Sequence, residues 1–250
     1  MPGVTIKSKR EIELMRDAGK LLRDVHLRLG EEIAPGISTL DLDRLGEELI
    51  RKTDSIPSFL NYEGYPASVC VSINDEVVHG IPKANRIIRE GDIVSLDIGL
   101  IHNGFQSDAA RTHAVGQVSE EASALIKVTE ESFFEGMKYA TAGNHLHDIS
   151  NAIGYYCIDR GYGVVRDLVG HGIGREMHEA PQIPNFPQKR KGILLCAGMT
   201  LAIEPMINIG TGDVIFHDDG WTCTTADGSL SAHYENTILI TDGEPEILSL

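Results

Sequence analysis

Hydrophobic side chains near the start of the chain recur at the spacing of an amphipathic helix, and they predict a helix over residues 8–30. The stripe consists of Ile12, Met15, Leu22, Val25 and Leu29. A second helix is predicted from the cap-forming pair Ser38-Thr39 onward, because these residue types start helices. Two more helical stretches are predicted, one over about 119–140 and one from Asn144 to before Gly161.

The remaining apolar runs are short and predict strands. They cover residues 68–73, 93–101, 105–114, 163–169, 199–209, 213–217, 221–226 and 233–240. The segment FHDDGWT, between two of them, has the composition of a hairpin turn. Because strands follow one another as hairpins, we expect an α+β fold with helices covering one face of an antiparallel sheet. No linker composition divides the chain, so we expect one catalytic domain over residues 1–250.

The composition argues against several classes of function. The formal net charge is −15, and the one compact basic run, Lys189–Lys191, is typical of a solvated loop. We therefore expect no DNA partner, because DNA binding requires a basic face. No apolar stretch is long enough to span a membrane. The four cysteines are widely spaced without a C-x-x-C pair, and with no signal peptide they indicate free thiols in the cytoplasm.

Two aspartates fall on a predicted hairpin. Asn103-Gly104 is a strong two-residue turn signal, and a turn there places Asp97 opposite Ala110 and Asp108 opposite Gly99. Asp97 and Asp108 then become diagonal neighbours on one face of the sheet, about 7–8 Å apart at the backbone. Two carboxylates at that range can share cations. The alternative is a salt bridge within the hairpin.

Two glutamates lie in similarly apolar segments. Glu204 follows Ile203 in MTLAIEPMINI, and Glu235 precedes an Ile-Leu-Ile run in SAHYENTILI. Either one alone is more typical of a core acid bonded to a neighbour. Four apolar-flanked acids without matching basic residues require a cationic partner, and a pair of divalent ions would supply it.

The most distinctive histidine is His171, within VGHGIGREMHEAP. The surrounding glycines would let the backbone approach a ligand closely, and together with Pro181 they argue against one regular helix. His171 and His178 are therefore not the paired ligands of an H-E-x-x-H zinc helix. His79, in EVVHGIP, taken alone is more typical of an ordinary strand-end residue.

Five segments in order, NDEVVHGIP, the Asp97–Asp108 pair, GHGIG, AIEP and YENT, resemble those of type I methionine aminopeptidases. The resemblance extends from about Lys7 to Leu250. It implies the pita-bread fold, in which two similar halves, related by a pseudo-twofold axis, enclose a dimetal centre. The metal ligands implied by the resemblance are Asp97, Asp108, His171, Glu204 and Glu235.

The resemblance also implies the reaction. Two divalent ions, with Mn, Fe or Co favoured by the ligand types and Zn compatible, would activate a hydroxide that attacks the first peptide bond. His178 would contact the carbonyl oxygen, His79 the leaving amide nitrogen, and Glu204 would shuttle the proton. The substrates would be nascent polypeptides with an N-terminal (initiator) methionine, preferably followed by a small residue. The family's role also implies contact with the ribosome, and we expect a monomer.

A methionine pocket is implied as well. Its residues would be Tyr62, Tyr65, Cys70, Met177 and Trp221. Type I members usually carry Phe where Met177 stands, and often Thr where Gly99 stands. The first departure changes a pocket wall, and the second removes a hydrogen bond next to Asp97.

Three other interpretations agree less well with the sequence. Prolidase and creatinase relatives usually carry a long N-terminal domain, for which a helix starting near residue 8 leaves no room. Type II methionine aminopeptidases usually carry a late helical insert, which the short intervals between His171, Glu204 and Glu235 exclude. A non-catalytic binding protein on the same fold would have lost ligands, whereas all five are present.

Overall fold

The computed structural model describes residues 3–250 and contains four long helices. They are α1 (Lys9–Glu31), α2 (Thr39–Lys52), α3 (Glu120–Met137) and α4 (Leu146–Ile158), with a short 3-10 helix at Tyr62–Gly64. The four predicted helices are confirmed. Ser8 and Ser38 begin the first two as N-caps, each in a reciprocal capping box with the acid three residues later. Within residues 3–250, none of the helices has the length and apolar character needed to cross a bilayer.

The strands number fifteen among the described residues. They are β1 (Ile56–Pro57), β2 (Val69–Ile73), β3 (Glu76–Val78), β4 (Ile93–His102), β5 (Phe105–Ala114), β6 (Gly163–Val164), β7 (Gly170–Gly172), β8 (Glu179–Ile183), β9 (Thr200–Ile203), β10 (Met206–Asn208), β11 (Val214–Phe216), β12 (Cys223–Thr225), β13 (Ser231–His233), β14 (Glu235–Leu239) and β15 (Glu246–Ile247). The main antiparallel sheet has the order β1-β4-β5-β14-β9-β7-β8, with β2 on β4 and β15 on β14. Two three-stranded sheets, β13-β10-β6 and β11-β12-β3, flank it.

The β4–β5 hairpin has the predicted register. Asp97 pairs with Ala110, and Gly99 pairs with Asp108. The turn residues Asn103 and Gly104 both have positive φ, 50° and 79°, which is the geometry that an Asn-Gly two-residue turn favours. The turn chemistry therefore fixes the register, and the register fixes which face of the sheet each acid occupies.

The helices cover one face of the main sheet. Leu22 and Val25 of α1 pack in one cluster with Leu96 and Ile98 of β4. A second cluster joins α3 and α4 to β9 and β14. Because side chains alternate along a strand, Asp97, which lies between Leu96 and Ile98, points to the opposite face. The helix layers thus define which side of the sheet holds the acids.

Three predicted strands are wrong in extent. The prediction of 163–169 corresponds only to β6, and the next strand begins at Gly170. The prediction of 199–209 is interrupted at Glu204-Pro205, where the chain leaves β9 in the main sheet and enters β10 in a flanking sheet. The prediction of 233–240 is interrupted at Tyr234 in the same way. Proline has no N–H for a ladder, which explains the first break in pairing. Both breaks lie beside a predicted metal ligand.

Several strands were not predicted. β7 and β8 are too short, or too rich in glycine and polar residues, to show an alternating pattern, whereas β3 ends at Val78, where His79 was predicted to follow a strand. They form because neighbouring strands supply partners, which no local pattern records. The argument against a helix at His171 is confirmed, since this residue lies in β7 and His178 in the loop before β8.

Candidate metal centre and substrate pocket

One cavity of about 280 Å³ is lined by all twelve residues proposed from the sequence as site residues. They are Tyr62, Tyr65, Cys70, His79, Asp97, Asp108, His171, Met177, His178, Glu204, Trp221 and Glu235. Three further residues complete its wall, namely Phe59, Glu63 and Leu168. Residues from distant parts of the chain therefore meet on the face of the sheet away from the helices.

Strand pairing brings the acids together. Asp97 and Glu235 are both paired with Ala110, so they flank one small residue across three adjacent strands. Asp108 lies two positions before Ala110 on β5, and alternation places it on the same face. Because an alanine separates the two outer acids, their carboxyl groups have room to lean toward a common centre.

The other two residues come from the next strands of the sheet. Glu204 directly follows β9, and His171 of β7 pairs with Ala202 of β9. The His171 Nε2 atom is 3.8 Å from Asp108 Oδ2 and 3.7 Å from Glu204 Oε1. Ligand atoms of Asp108, His171 and Glu235 all lie within 4.8 Å of one another. Oxygen donors with one imidazole at such separations can surround divalent cations.

The acids are buried and their charges are not compensated. Asp97 Oδ1, Asp108 Oδ1 and Glu235 Oε1 are all inaccessible and lack hydrogen-bond partners. Burial raises the pKa of Asp108 to about 7. Burial, with the neighbouring charge of Asp108 next, raises the pKa values of Asp97, Glu204 and Glu235 well above their ordinary range. Without a cation, the ionised cluster is strongly disfavoured.

No arginine or lysine within residues 3–250 forms an ion pair with these four carboxylates, and the basic side chains within 4 Å of them are the neutral imidazoles of His171 and His233. Arg111 is nearby, but its guanidinium donates to the carbonyl oxygen of Ala110 and to Asn236 Oδ1. The alternative of a hairpin salt bridge for Asp97 is therefore not realised. Buried oxygens without partners and without a basic neighbour fit a site for divalent cations.

The ring of His171 is oriented for ligation. Its Nδ1 lies 2.9 Å from the carbonyl oxygen of Gly172, so Nδ1–H donates and the Nε2 lone pair faces the acids. Burial lowers the pKa of His171 to about 4, which keeps the imidazole neutral. The glycines on either side of His171 are required for close packing of the strands rather than for the approach of a ligand. A Cβ at Gly170 or Gly172 would lie 2.4 Å or 2.2 Å from a carbonyl oxygen of a neighbouring strand.

His178 and His79 border the same cavity. The His171 and His178 rings are 4.4 Å apart between centroids, and His178 Nδ1 is 2.7 Å from the Tyr62 hydroxyl. His79 has φ 59°, a left-handed conformation that is uncommon outside glycine and recurs at functional sites. Burial lowers the pKa of His79 to about 4 and also lowers that of His178. Both rings are therefore neutral near pH 7.

Aromatic and sulphur-containing side chains form most of the remaining wall. Tyr65 and Trp221 meet edge to face at 5.1 Å between centroids, and Cys70 is buried beside them. The two departures from the family pattern contact each other. A Cβ at Gly99 would lie 3.0 Å from Met177 Cε and 2.9 Å from Ser58 Cβ. Met177 therefore occupies space that only a glycine at position 99 leaves open.

The sequence reasoning missed His233. This residue is 1% exposed, and its Nε2 lies 3.9 Å from Glu204 Oε2 and 3.8 Å from Glu235 Oε2. Burial lowers the pKa of His233 to about 3. A signal was present, because residues two apart in an extended segment share a face, and His233 lies two positions before Glu235. The reasoning also missed the hydrogen bond between Tyr62 and His178, which joins residues 116 positions apart in the sequence.

Comparison with known proteins agrees with this geometry. The model of metallopeptidase family M24 matches residues 13–242. The methionine aminopeptidase of Clostridium acetobutylicum is 55% identical over 247 residues, which cover 99% of each chain. Methionine aminopeptidase 1 of Bacillus subtilis is 45% identical over 246 residues, covering 98% of this chain and 99% of that protein. The crystal structure of methionine aminopeptidase from Thermotoga maritima superposes with a TM-score of 0.96 at 43% identity, covering 98% of this chain and 99% of that one.

The chain therefore belongs to metallopeptidase family M24 and, within it, to the methionine aminopeptidases. The resemblance inferred from five short segments is confirmed, and so is the pita-bread fold that it implied.

Proposed function

We propose that this centre carries out the activity of the family, the metal-dependent hydrolysis that releases methionine from the N-terminus of a polypeptide. The observation that supports this most strongly is the buried group of four carboxylates and one imidazole, whose oxygens have no protein cation to neutralise them. It opens into a cavity walled by aromatic and sulphur-containing side chains. A charged centre beside an apolar pocket suits a substrate with a free amine and an apolar side chain.

The residues that would hold metal are Asp97, Asp108, His171, Glu204 and Glu235. Four carboxylates balance two divalent ions in charge, so we propose two per chain. Mn, Fe or Co suit oxygen donors with one imidazole, and Zn is compatible. When bound, such ions lower the pKa of water and stabilise the negative charge that develops during hydrolysis.

His178 would stabilise charge on the substrate. The Tyr62 hydroxyl lies 2.7 Å from His178 Nδ1, and a hydroxyl that donates there leaves the proton of the neutral ring on Nε2. We propose that Nε2–H donates to the oxygen of the first peptide carbonyl, where negative charge builds in the transition state. Tyr62 would then fix the tautomer and orientation of His178, as well as form part of the pocket.

His79 and Glu204 would act at the nitrogen of the first peptide bond. His79 contacts the amide nitrogen that leaves, and its strained backbone directs the ring toward the cavity. We propose that Glu204 accepts the proton of the attacking water and passes it to that nitrogen, as a carboxylate that serves first as general base and then as general acid.

The pocket would hold the methionine side chain. Tyr65 and Trp221 supply apolar faces, and the Cys70 thiol is buried between strand and pocket, with its pKa raised by burial so that it stays neutral. Met177 would form the flexible part of the wall. A small second residue is proposed by analogy with the family.

The setting follows from the substrate. Initiator methionines occur on new chains leaving the ribosome, so we propose a cytoplasmic enzyme, one catalytic domain over residues 1–250, that acts there as a monomer.

The test uses two substitutions that remove a charge but keep side-chain shape. Asp97→Asn should fold normally and bind metal much more weakly, whereas Glu204→Gln should also lose activity at saturating metal, because the proton carrier is gone. Asp43→Asn is the matched control, since Asp43 is a buried acid that accepts hydrogen bonds from the Ser68 and Val69 amides and is not among the proposed ligands. It should lose stability without losing metal.

Bound metal by elemental analysis, the thermal midpoint and hydrolysis of a Met-Gly peptide would be measured for all three variants. The proposal is contradicted if Asp97→Asn and Glu204→Gln keep wild-type metal content and only lose thermal stability, as purely structural acids would.

A further inference from the structure

The ring of His233 is buried and has no hydrogen-bond partner at either nitrogen. Its backbone is firmly placed, because the His233 amide donates to Thr112 Oγ1 at 2.9 Å and Thr112 Oγ1 donates back to the His233 carbonyl at 2.9 Å. Strand pairing with Met206 holds the same residue. A fixed, buried imidazole with two unmet polar atoms is uncommon and needs a reason.

The surroundings of the ring supply a reason. His233 Nε2 faces two carboxylates, at 3.9 Å from Glu204 Oε2 and 3.8 Å from Glu235 Oε2. The other oxygen of Glu204, Oε1, is the one that faces His171 Nε2, at 3.7 Å. Glu204 therefore lies between two imidazoles, with one oxygen toward each. The oxygen of Glu204 near His171 lies toward Asp108, and the oxygen near His233 lies toward Glu235.

We propose that His233 is a positioning residue of the metal centre, which donates from Nε2–H to the oxygen of Glu204 that points away from His171. This inference rests on the proposed function, since it assigns a partner to one of the proposed ligands. A carboxylate that binds metal through one oxygen can rotate and exchange its oxygens. A hydrogen bond donated to the second oxygen determines which oxygen faces the metal, because hydrogen bonds from outer residues orient metal ligands in general.

Few other groups can take this role. The Glu204 carboxylate receives no hydrogen bond from the residues that the structure describes, and its basic neighbours within 4 Å are His171 and His233. The present separation of 3.9 Å is longer than a hydrogen bond by about 1 Å. A change of side-chain torsion in Glu204 covers that distance, and the paired backbone of His233 fixes the position from which its ring extends toward Glu204.

The test measures metal affinity and ligand geometry rather than turnover. Metal-free protein would be titrated with Co²⁺ by calorimetry, and the visible absorption of the Co²⁺ complex would report the arrangement of ligands. His233→Leu should weaken Co²⁺ binding by about 10–100-fold, the usual effect of removing an outer partner. His233→Gln should bind within a few-fold of wild type, because its amide can donate at similar reach.

His113→Leu is the matched control. His113 is another enclosed histidine whose Nε2 lacks a partner, and it packs against Gly30 of α1 away from the carboxylates. Its loss should leave Co²⁺ affinity and absorption unchanged. If His233→Leu does not fold, the pair His233→Gln and His233→Asn carries the test. The two side chains end in the same amide, and the shorter Asn should bind Co²⁺ about 10-fold more weakly than Gln.

Two failures are distinguishable. Wild-type affinity and absorption in His233→Leu, or equal affinities in the Gln and Asn variants, would overturn the role of His233. Wild-type protein that binds no Co²⁺ would instead overturn the metal centre itself.

Discussion

The contact between Gly99 and Met177 makes a testable prediction about the pocket wall. A Cβ at position 99 would lie 2.9 Å from Phe59 Cε1, 2.9 Å from Ser58 Cβ and 3.0 Å from Met177 Cε. Ordinary contacts begin near 3.4 Å, so each neighbour must retreat by several tenths of an ångström. Ser58 cannot easily do so, because its Oγ donates to Gln106 at 2.6 Å and its amide donates to the Gly99 carbonyl at 3.0 Å.

We therefore expect Gly99→Ala to destabilise the protein by about 1–3 kcal/mol, the usual cost of inserting a methyl group into a packed region. Met177 is the most flexible of the three neighbours, so we expect its side chain to be displaced and its Cε to move into the cavity. KM for a Met-Gly peptide should rise more than kcat falls, because the change narrows the pocket without touching the metal ligands.

A double-mutant cycle isolates the contact. In a Met177→Ala background, one of the three close contacts is absent, so Gly99→Ala should cost less by about 0.5–1 kcal/mol, within the range for residues in contact. Urea unfolding of the four proteins gives the coupling energy, and steady-state kinetics gives KM. Additive effects in the cycle, or a Gly99→Ala variant as stable and active as wild type, would refute the packing argument.

Three further outcomes follow from the site. His178→Ala should lower kcat by about 10²–10³-fold with a smaller change in KM, because the lost hydrogen bond forms to developing charge; an unchanged kcat would exclude this role. Tyr62→Phe should lower kcat by about 2–10-fold, the worth of one neutral hydrogen bond, with the metal content unchanged; a loss of metal would show that Tyr62 acts elsewhere. Burial raises the pKa of Asp108 to about 7 in the metal-free protein, so metal binding should release a proton from it. That release should be larger at pH 6 than at pH 8, because Asp108 is mostly protonated below its pKa and mostly ionised above it. Calorimetry in buffers of different ionisation enthalpy measures the number of protons released. A release that grows with pH would contradict the assignment.

Local chemistry predicted a large part of the fold. The Asn103-Gly104 turn determines the β4–β5 register and so the shared face of Asp97 and Asp108. The serine caps determine where α1 and α2 begin. These features depend on neighbours in sequence, and the sequence records them directly.

Features that depend on distant partners could not be predicted in this way. The strand around His171 exists because β8 and β9 supply hydrogen bonds on both sides, and its glycines serve that close packing. The breaks at Glu204 and Tyr234 occur where the chain passes from one sheet to another. These breaks are part of the site, because they release Glu204 and Glu235 from the middle of a regular strand.

The proposed site residues came from the resemblance, and apart from the shared face of Asp97 and Asp108 the contacts among them could be seen only in the structure. His233 did not belong to any of the matched roles, although it is as close to Glu204 as His171 is, to within about 0.2 Å. The contact between Gly99 and Met177 likewise emerged only in three dimensions, because each residue appeared as a separate departure in the sequence.

The most direct test of the metal centre is a titration of metal-free wild-type protein with Mn²⁺ or Co²⁺, in which bound metal and hydrolysis of a Met-Gly peptide are followed together. Four buried carboxylates without a protein cation predict no hydrolysis in the stripped protein, recovery of activity as metal is added, and saturation at about two ions per chain. Full hydrolysis in protein that elemental analysis shows to be free of metal would contradict the account.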